Sequence, residues 1–180
     1  MGDGHYFINE PGLVVNKPIK FVGDENEPAH VVLEMSGEML WESSGGWMEG
    51  ITIRRPRISM GMTHNTEILR IEAGARLDMF NCVFDNRGSI GNCVSVMSDG
   101  AGGRWEKATI NGGSRDYSGL LIEKNAKVEL IDVSICKAEH ISVCNARATQ
   151  YSHLFYHTVL HMRKRWCWNN PWERRDSYDD

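Results

Sequence analysis

At 180 residues, with 20 Lys+Arg against 24 Asp+Glu, the chain has a net charge of -4, and this mildly acidic balance argues against a nucleic-acid backbone binder, which needs a basic face. Hydrophobic residues at 41% and charged residues at 24% exclude a disordered chain and point to one globular domain. No apolar run approaches about 18 residues, and the opening MGDGHYFINEPG lacks the basic start and apolar run of a signal peptide, so the expected location is intracellular with no membrane partner.

In chain order, Leu13-Val14-Val15 and Ile19-Lys20-Phe21-Val22-Gly23 read as short strands, Val31-Val32-Leu33-Glu34 as the next, and Met39-Leu40-Trp41 and Trp47 to Ile53 as their continuation. From Leu69 a repeat emerges. Leu69 to Phe84 superposes on Leu120 to Ile135 at an offset of 51 residues, with apolar positions meeting apolar ones and Ala73-Gly74-Ala75-Arg76 meeting Lys124-Asn125-Ala126-Lys127. Val94-Ser95-Val96 repeats the same beat midway, so the unit is about 25 residues. Alternating runs such as Leu69-Arg70-Ile71 and Leu77-Asp78-Met79 are strand-like and bounded by Gly, Asn and Asp. A unit made of two or three short strands cannot close its own core, but it can coil and stack on its neighbours with parallel pairing. The expectation is an all-β solenoid of about five coils over residues 1–147. A β-sandwich, the competing fold, calls for tight hairpins every 8 to 12 residues or so and does not call for the long-offset superposition.

The five cysteines form no Cys-x-x-Cys pair, and their odd number argues against both a disulfide framework and a zinc ribbon. Cys82, Cys93, Cys136 and Cys144 are read as small buried residues.

The string Gly4-His5-Tyr6, followed by Leu13-Val14-Val15-Asn16-Lys17-Pro18-Ile19-Lys20-Phe21-Val22-Gly23 and Val31-Val32-Leu33-Glu34, resembles the opening of right-handed parallel β-helix proteins of the pectin-lyase-like superfamily. Gly50-Ile51-Thr52-Ile53-Arg54 is similar to the strand that follows there. The closest flavour is the carbohydrate-binding and sugar-hydrolase type of β-helix repeat, as in F-box-only proteins that carry such repeats. The resemblance covers roughly residues 4–146 and implies a right-handed parallel β-helix. Family members usually have a capping helix before the Gly-x-Tyr, whereas three residues precede Gly4 here, so the chain reads as a fragment or as a trimmed gene model.

A lyase on this fold would need a carboxylate cluster for calcium with an Arg or Lys base beside it, and a hydrolase two or three aspartates flanking the bond. The carboxylates are spread along the chain, among them Asp85, Asp99, Asp116, Asp132 and Glu139, and the Asn-Thr-Asp, Asp-Asp and Gly-His-Gly signatures of the hydrolases are absent. Arg115-Asp116, in Gly-Gly-Ser-Arg-Asp-Tyr-Ser-Gly, is the one acid-base loop pair. Asn81 and Asp132 superpose in the repeat beside Phe80 and Ile131, which are expected to point inward, and read as a stacked turn ladder. Arg54-Arg55-Pro56-Arg57 ends a strand as a solvated basic turn or a receptor for an acidic ligand. Trp47 and Trp105 each start a comparable Trp-to-Thr-Ile run, and together with Trp41 they are weighed as sugar-stacking or packing residues.

From Ala148 the beat is lost. Tyr151, Phe155, Val159, Met162 and Trp166 recur at helical spacing, which predicts an amphipathic capping helix over residues 148–166, with 167–180 a disordered tail. His153, His157 and His161 share one stripe of that helix but span about 12 Å, too far for one ion, so no metal is expected.

These readings converge on a non-catalytic β-helix module that recognises a protein or glycan partner by a sheet face or loop edge. The candidate binding residues are Asp85, Asp99, Arg115, Asp116, Trp47 and Trp105, with no catalytic residue, cofactor or metal. A carbohydrate lyase, hydrolase or epimerase using the loop carboxylates is the alternative, and an uncapped first coil would invite end-to-end self-association.

Overall fold

A computed structural model describes residues 3–9, 11–56, 67–86, 91–97, 99–112, 117–123, 125–136, 140–143 and 151–152. The first coil consists of β1 (Gly4–Ile8), β2 (Gly12–Val15) and β3 (Lys20–Val22), and the second of β4 (Val31–Met35), β5 (Glu38–Trp41) and β6 (Trp47–Glu49). Then come β7 (Thr52–Arg54), β8 (Leu69–Ile71), β9 (Asp78–Phe80), β10 (Val83–Asp85), β11 (Val94–Val96) and β12 (Gly102–Glu106). The chain continues through β13 (Thr109–Asn111), β14 (Ser118–Ile122), β15 (Lys127–Ile131), β16 (Ser134–Cys136), β17 (His140–Val143) and β18 (Tyr151–Ser152). Successive strands visit three sheets in rotation: β1-β4-β7-β10-β13-β16 form sheet 1, β2-β5-β8-β11-β14-β17 sheet 2 and β3-β6-β9-β12-β15-β18 sheet 3. Every pairing between these strands is parallel, so the fold is the expected β-solenoid. Among the described residues no helix is long and apolar enough to cross a membrane.

The 51-residue repeat is a physical register. Val94 pairs with Leu69 on one side and Leu120 on the other, and Val96 with Ile71 and Ile122. In-register stacking turns the alternation of each short strand into columns, because every second side chain points into the coil. Leu33, Ile53, Phe84 and Ile110 stack in sheet 1, and Met48, Met79, Trp105 and Leu130 in sheet 3. These residues are buried and belong to one apolar cluster that runs along the solenoid. Met79 and Leu130 fill sheet 3's inward column, which turns Phe80 and Ile131 outward, contrary to the expectation from the aligned repeat.

The corner from sheet 3 to sheet 1 shows why unlike residues can align. Gly50, Asn81, Lys107 and Asp132 all have positive φ (60°, 47°, 55° and 52°) and occupy the same place in successive coils. Their amides donate onward in series, Gly50 to Phe80 O, Asn81 to Glu106 O and Lys107 to Ile131 O. At Gly50 a side chain is excluded, since a Cβ would lie 2.2 Å from Asp24 O. The space it leaves lets Asn81 Nδ2 reach Glu25 O at 2.6 Å.

The predicted C-terminal helix is corrected where the structure describes it. Tyr151–Ser152 form β18, paired in parallel with Leu130 and Ile131. An open strand edge such as that of β15 leaves backbone groups unpaired, and a further strand satisfies them. The rest of the predicted helix, its histidines and the tail lie outside the described residues.

Candidate functional site

Each predicted site residue has a definite place or lies outside the described residues. Trp105 is fully buried in the inward column of sheet 3, and its indole N–H donates to Leu77 O at 3.0 Å. Trp41 is likewise buried and donates to Arg76 O at 3.1 Å. Neither ring offers a face to a ligand, so the stacking role considered for Trp105 is replaced by core packing. Its Trp-to-Thr-Ile similarity to the Trp47 segment misled because the two tryptophans stand one position apart in register: Trp47 aligns with Asp78, Trp105 with Met79.

Trp47 points outward from sheet 3 and is half-buried. Its Nε1 donates to Glu49 Oε2 at 2.7 Å, which fixes the ring on the sheet. Lys20 and Asp78 flank it in register, and Arg104 and Glu129 continue the same outward column. The neighbouring column runs Val22, Glu49, Phe80, Glu106, Ile131. Here the charges are matched. Arg76 pairs with Asp78 at 3.0 Å and Arg104 with Glu106 at 3.4 Å, while Lys107 Nζ sits 5.0 Å from the centre of the Phe80 ring. The result is a mixed face on which one anchored tryptophan stands among charged groups of both signs, with Val22, Phe80 and Ile131 beside them.

Asp85 and Asp99 are not brought together. Asp85 ends β10 at the corner from sheet 1 to sheet 2, in register between Arg54 and Asn111. Asp99 lies in the connection from β11 to β12, at the next corner, with φ 56°. Its carbonyl accepts from Gly74 N at 3.0 Å and its Oδ1 from Asn125 Nδ2 at 3.4 Å, so it serves a stacked turn. Arg115 and Asp116 lie outside the described residues.

The basic run Arg54-Arg55 divides. Arg54 pairs with Glu34 at 2.7 Å on the outer face, as a turn charge would. Arg55 is buried instead, with Nη1 donating to the carbonyls of Met35, Ser36 and Gly37 and Nη2 to that of Glu67. It ties the corner of the second coil to that of the third. The carbonyls left unpaired where strands end create this demand for a donor, a need that no sequence pattern announces. Nearby, Ser95 Oγ donates to Glu67 Oε1 at 3.1 Å, and Asn92 Oδ1 accepts from Ser118 N at 2.8 Å, extending a buried polar seam along this corner.

One cluster escaped the sequence reading. Asp3, Asp24 and His30 bring donor atoms within 4.8 Å of one another beside an open depression of about 490 Å³ lined by Asp3, Val22, Gly23, Asp24, Glu25 and Glu49. Asp24 Oδ1 accepts from the amides of Asn26 and Glu27, and Oδ2 meets His30 Nδ1 at 2.9 Å. The amide of Asn26, then the ring of His30, hold the Asp24 carboxyl below its ordinary range, and Asp24 in turn raises His30. Two carboxylates and an imidazole are ligand types for a borderline divalent ion such as zinc, although Asp24 already has partners from its own turn. The three residues come from two coils, so spacing alone could not align them.

Cys82 and Cys93 are buried as expected, and burial pushes the Cys82 thiol up to about 12, leaving it unreactive. Cys136 is half-buried on the outer side of sheet 1, and Cys144 lies outside the described residues. Compared with protein-family models, curated proteins and solved structures, the chain shows no match.

Proposed function

We propose that the chain is a non-catalytic β-solenoid binding module that recognises a glycan or protein partner on the outer face of sheet 3. The observation that carries this reading is Trp47: an aromatic ring left half-exposed on a flat sheet, held by Glu49 and bordered by Lys20 and Asp78. Such a ring packs against the C–H face of a pyranose, and the charged groups around it suit hydroxyls or the polar rim of a protein interface. The pectin-lyase-like resemblance of Gly4 to Glu34 supports a carbohydrate partner and a right-handed coil, the hand that parallel crossovers strongly favour. Fold alone licenses no activity, and the half-exposed ring with its charged neighbours is what offers a binding surface.

A carbohydrate-acting enzyme is the second reading. Its support is Asp85, a carboxylate that ends β10 at a corner of the coil. Titration calorimetry with a panel of neutral and uronic oligosaccharides tests both. The binding reading expects saturable binding that Trp47→Ala abolishes while the circular dichroism spectrum is kept, and no new reducing ends or unsaturated products. Cleavage of a uronate polymer that Asp85→Asn removes would replace it with the enzyme. Absence of any glycan binding would leave a protein as the partner of this face.

A further inference from the structure

The side face carries the proposed partner, but the end of the solenoid at β1–β3 is built differently from the rest. β1, β2 and β3 are the terminal strands of all three sheets, so each has one hydrogen-bonding edge turned away from β4, β5 and β6. Among the described residues, no strand covers those edges. The inward columns also end here: Tyr6 stacks on Leu33, Leu13 on Met39 and Phe21 on Met48. The second member of each pair is buried, whereas Tyr6 is 38% exposed and Leu13 and Phe21 only partly buried.

Carboxylates and lysines stand at different corners of this end, with His30 paired to Asp24 at the acidic one. Asp3, Asp24 and Glu25 stand at the corner between β3 and β1. Lys17 and Lys20 are exposed at the corner between β2 and β3. We propose that this end is a self-association surface, on which a second copy of the same chain docks head to head. The occupant follows from the charge layout. A twofold axis through the middle of β3 and the corner between β1 and β2 exchanges the acidic corner with the lysine corner. Each copy's carboxylates then face the other's lysines. The same axis sets β3 antiparallel to the second copy's β3, and β1, of five residues, against its β2, of four. Parallel strands of one solenoid become antiparallel across such an axis, so all three open edges gain partners at once and Tyr6, Leu13 and Phe21 gain the layer they lack.

Sedimentation equilibrium of the 180-residue chain, from about micromolar to about a hundred micromolar, tests this. The expected result is a concentration-dependent species of twice 20.4 kDa, with hydrogen-exchange protection of residues 4–22 rising in step. The surface variants Lys17→Glu/Lys20→Glu and Asp3→Lys/Glu25→Lys, which remove no core residue, should each weaken association about tenfold or more. An equimolar mixture of the two should restore it, because each then meets its opposite. A monomeric wild type of native circular dichroism overturns the proposal and leaves this end to a different strand-bearing partner. A dimer indifferent to both charge variants, or one the mixture fails to rescue, overturns it as well, since association would then run through another surface.

Discussion

The first coil and the coils stacked within the solenoid are made of the same kind of strand and end up with different cores. Leu13 and Met39 are neighbours in one inward column of sheet 2, as are Tyr6 and Leu33 in sheet 1. Met39 is fully buried and Leu33 is 3% exposed, while Tyr6 stays 38% exposed and Phe7, on the outer face, 69%. The difference is neighbour count: a coil between two others is roofed on both sides, and the terminal coil on one. In a solenoid, burial is set by position along the stack more than by residue type, because each repeat contacts only its neighbours.

The largest expected consequence is in packing. Met39→Ala should cost about 2–5 kcal/mol in urea unfolding, since it opens a cavity in a closed column. Leu13→Ala in the same column should cost about 1 kcal/mol, because solvent already reaches that site. Equal losses would show that the first coil is as closed as the second. A smaller step comes from the arginine pair. Removing Arg55 strands four carbonyls in a buried corner, so Arg55→Ala should destabilise by about 2–3 kcal/mol. Arg54→Ala removes an exposed ion pair and should cost under about 1 kcal/mol. Similar values for the two would mean that the corner carbonyls are satisfied without Arg55.

These cases mark what could be read from the chain. Leu69, Val94 and Leu120 were legible as one register because inward positions of internal coils must all be apolar, and the repeat preserves that requirement. Phe80 was misjudged, and Trp105 was set beside Trp47 with stacking and packing both open, because a shift of one residue exchanges the inner and outer faces, and the repeat could be aligned without fixing that phase. The predicted helix at Tyr151 failed for a related reason. Spacing of three and four also occurs by chance in a short segment, and β15 offers an edge that a strand can satisfy. Arg55 and the Asp3–Asp24–His30 cluster were invisible because their partners are backbone groups or residues from another coil.

Turns give the next contrast in size. Gly50 and Gly74 both have positive φ, 60° and 75°, but a Cβ at Gly50 meets Asp24 O whereas nothing lies within 4 Å of one at Gly74. Gly50→Ala therefore combines left-handed strain with a backbone clash and should cost about 1–3 kcal/mol, displacing the Asp24–Glu25 turn. Gly74→Asn should be nearly neutral, as asparagine tolerates that conformation and meets no atom. Thermal melts of the two variants compare them directly.

The smallest effect is a pH dependence confined to the first coil. Asp24 is held below its ordinary value, so its contribution is present at neutral pH and disappears as pH falls below 3.8 and through the folded value. His30 is raised above 6.5, so its contribution is full in mild acid and is lost as pH climbs from that value through the higher folded one. Together they make the turn tightest between these limits, where the carboxylate is charged and the imidazole protonated. His30 is exposed and Asp24 only half-buried, so global stability should hardly move. The readout is local: exchange of the Asn26 and Glu27 amides, which donate to Asp24, should quicken above pH 6.5 or so beyond the intrinsic rate. His30→Ala should flatten that extra rise while leaving the amides of β8 and β11 unchanged, because those strands lie well inside the stack. A rise that survives in His30→Ala would assign it to fraying of the first coil as a whole.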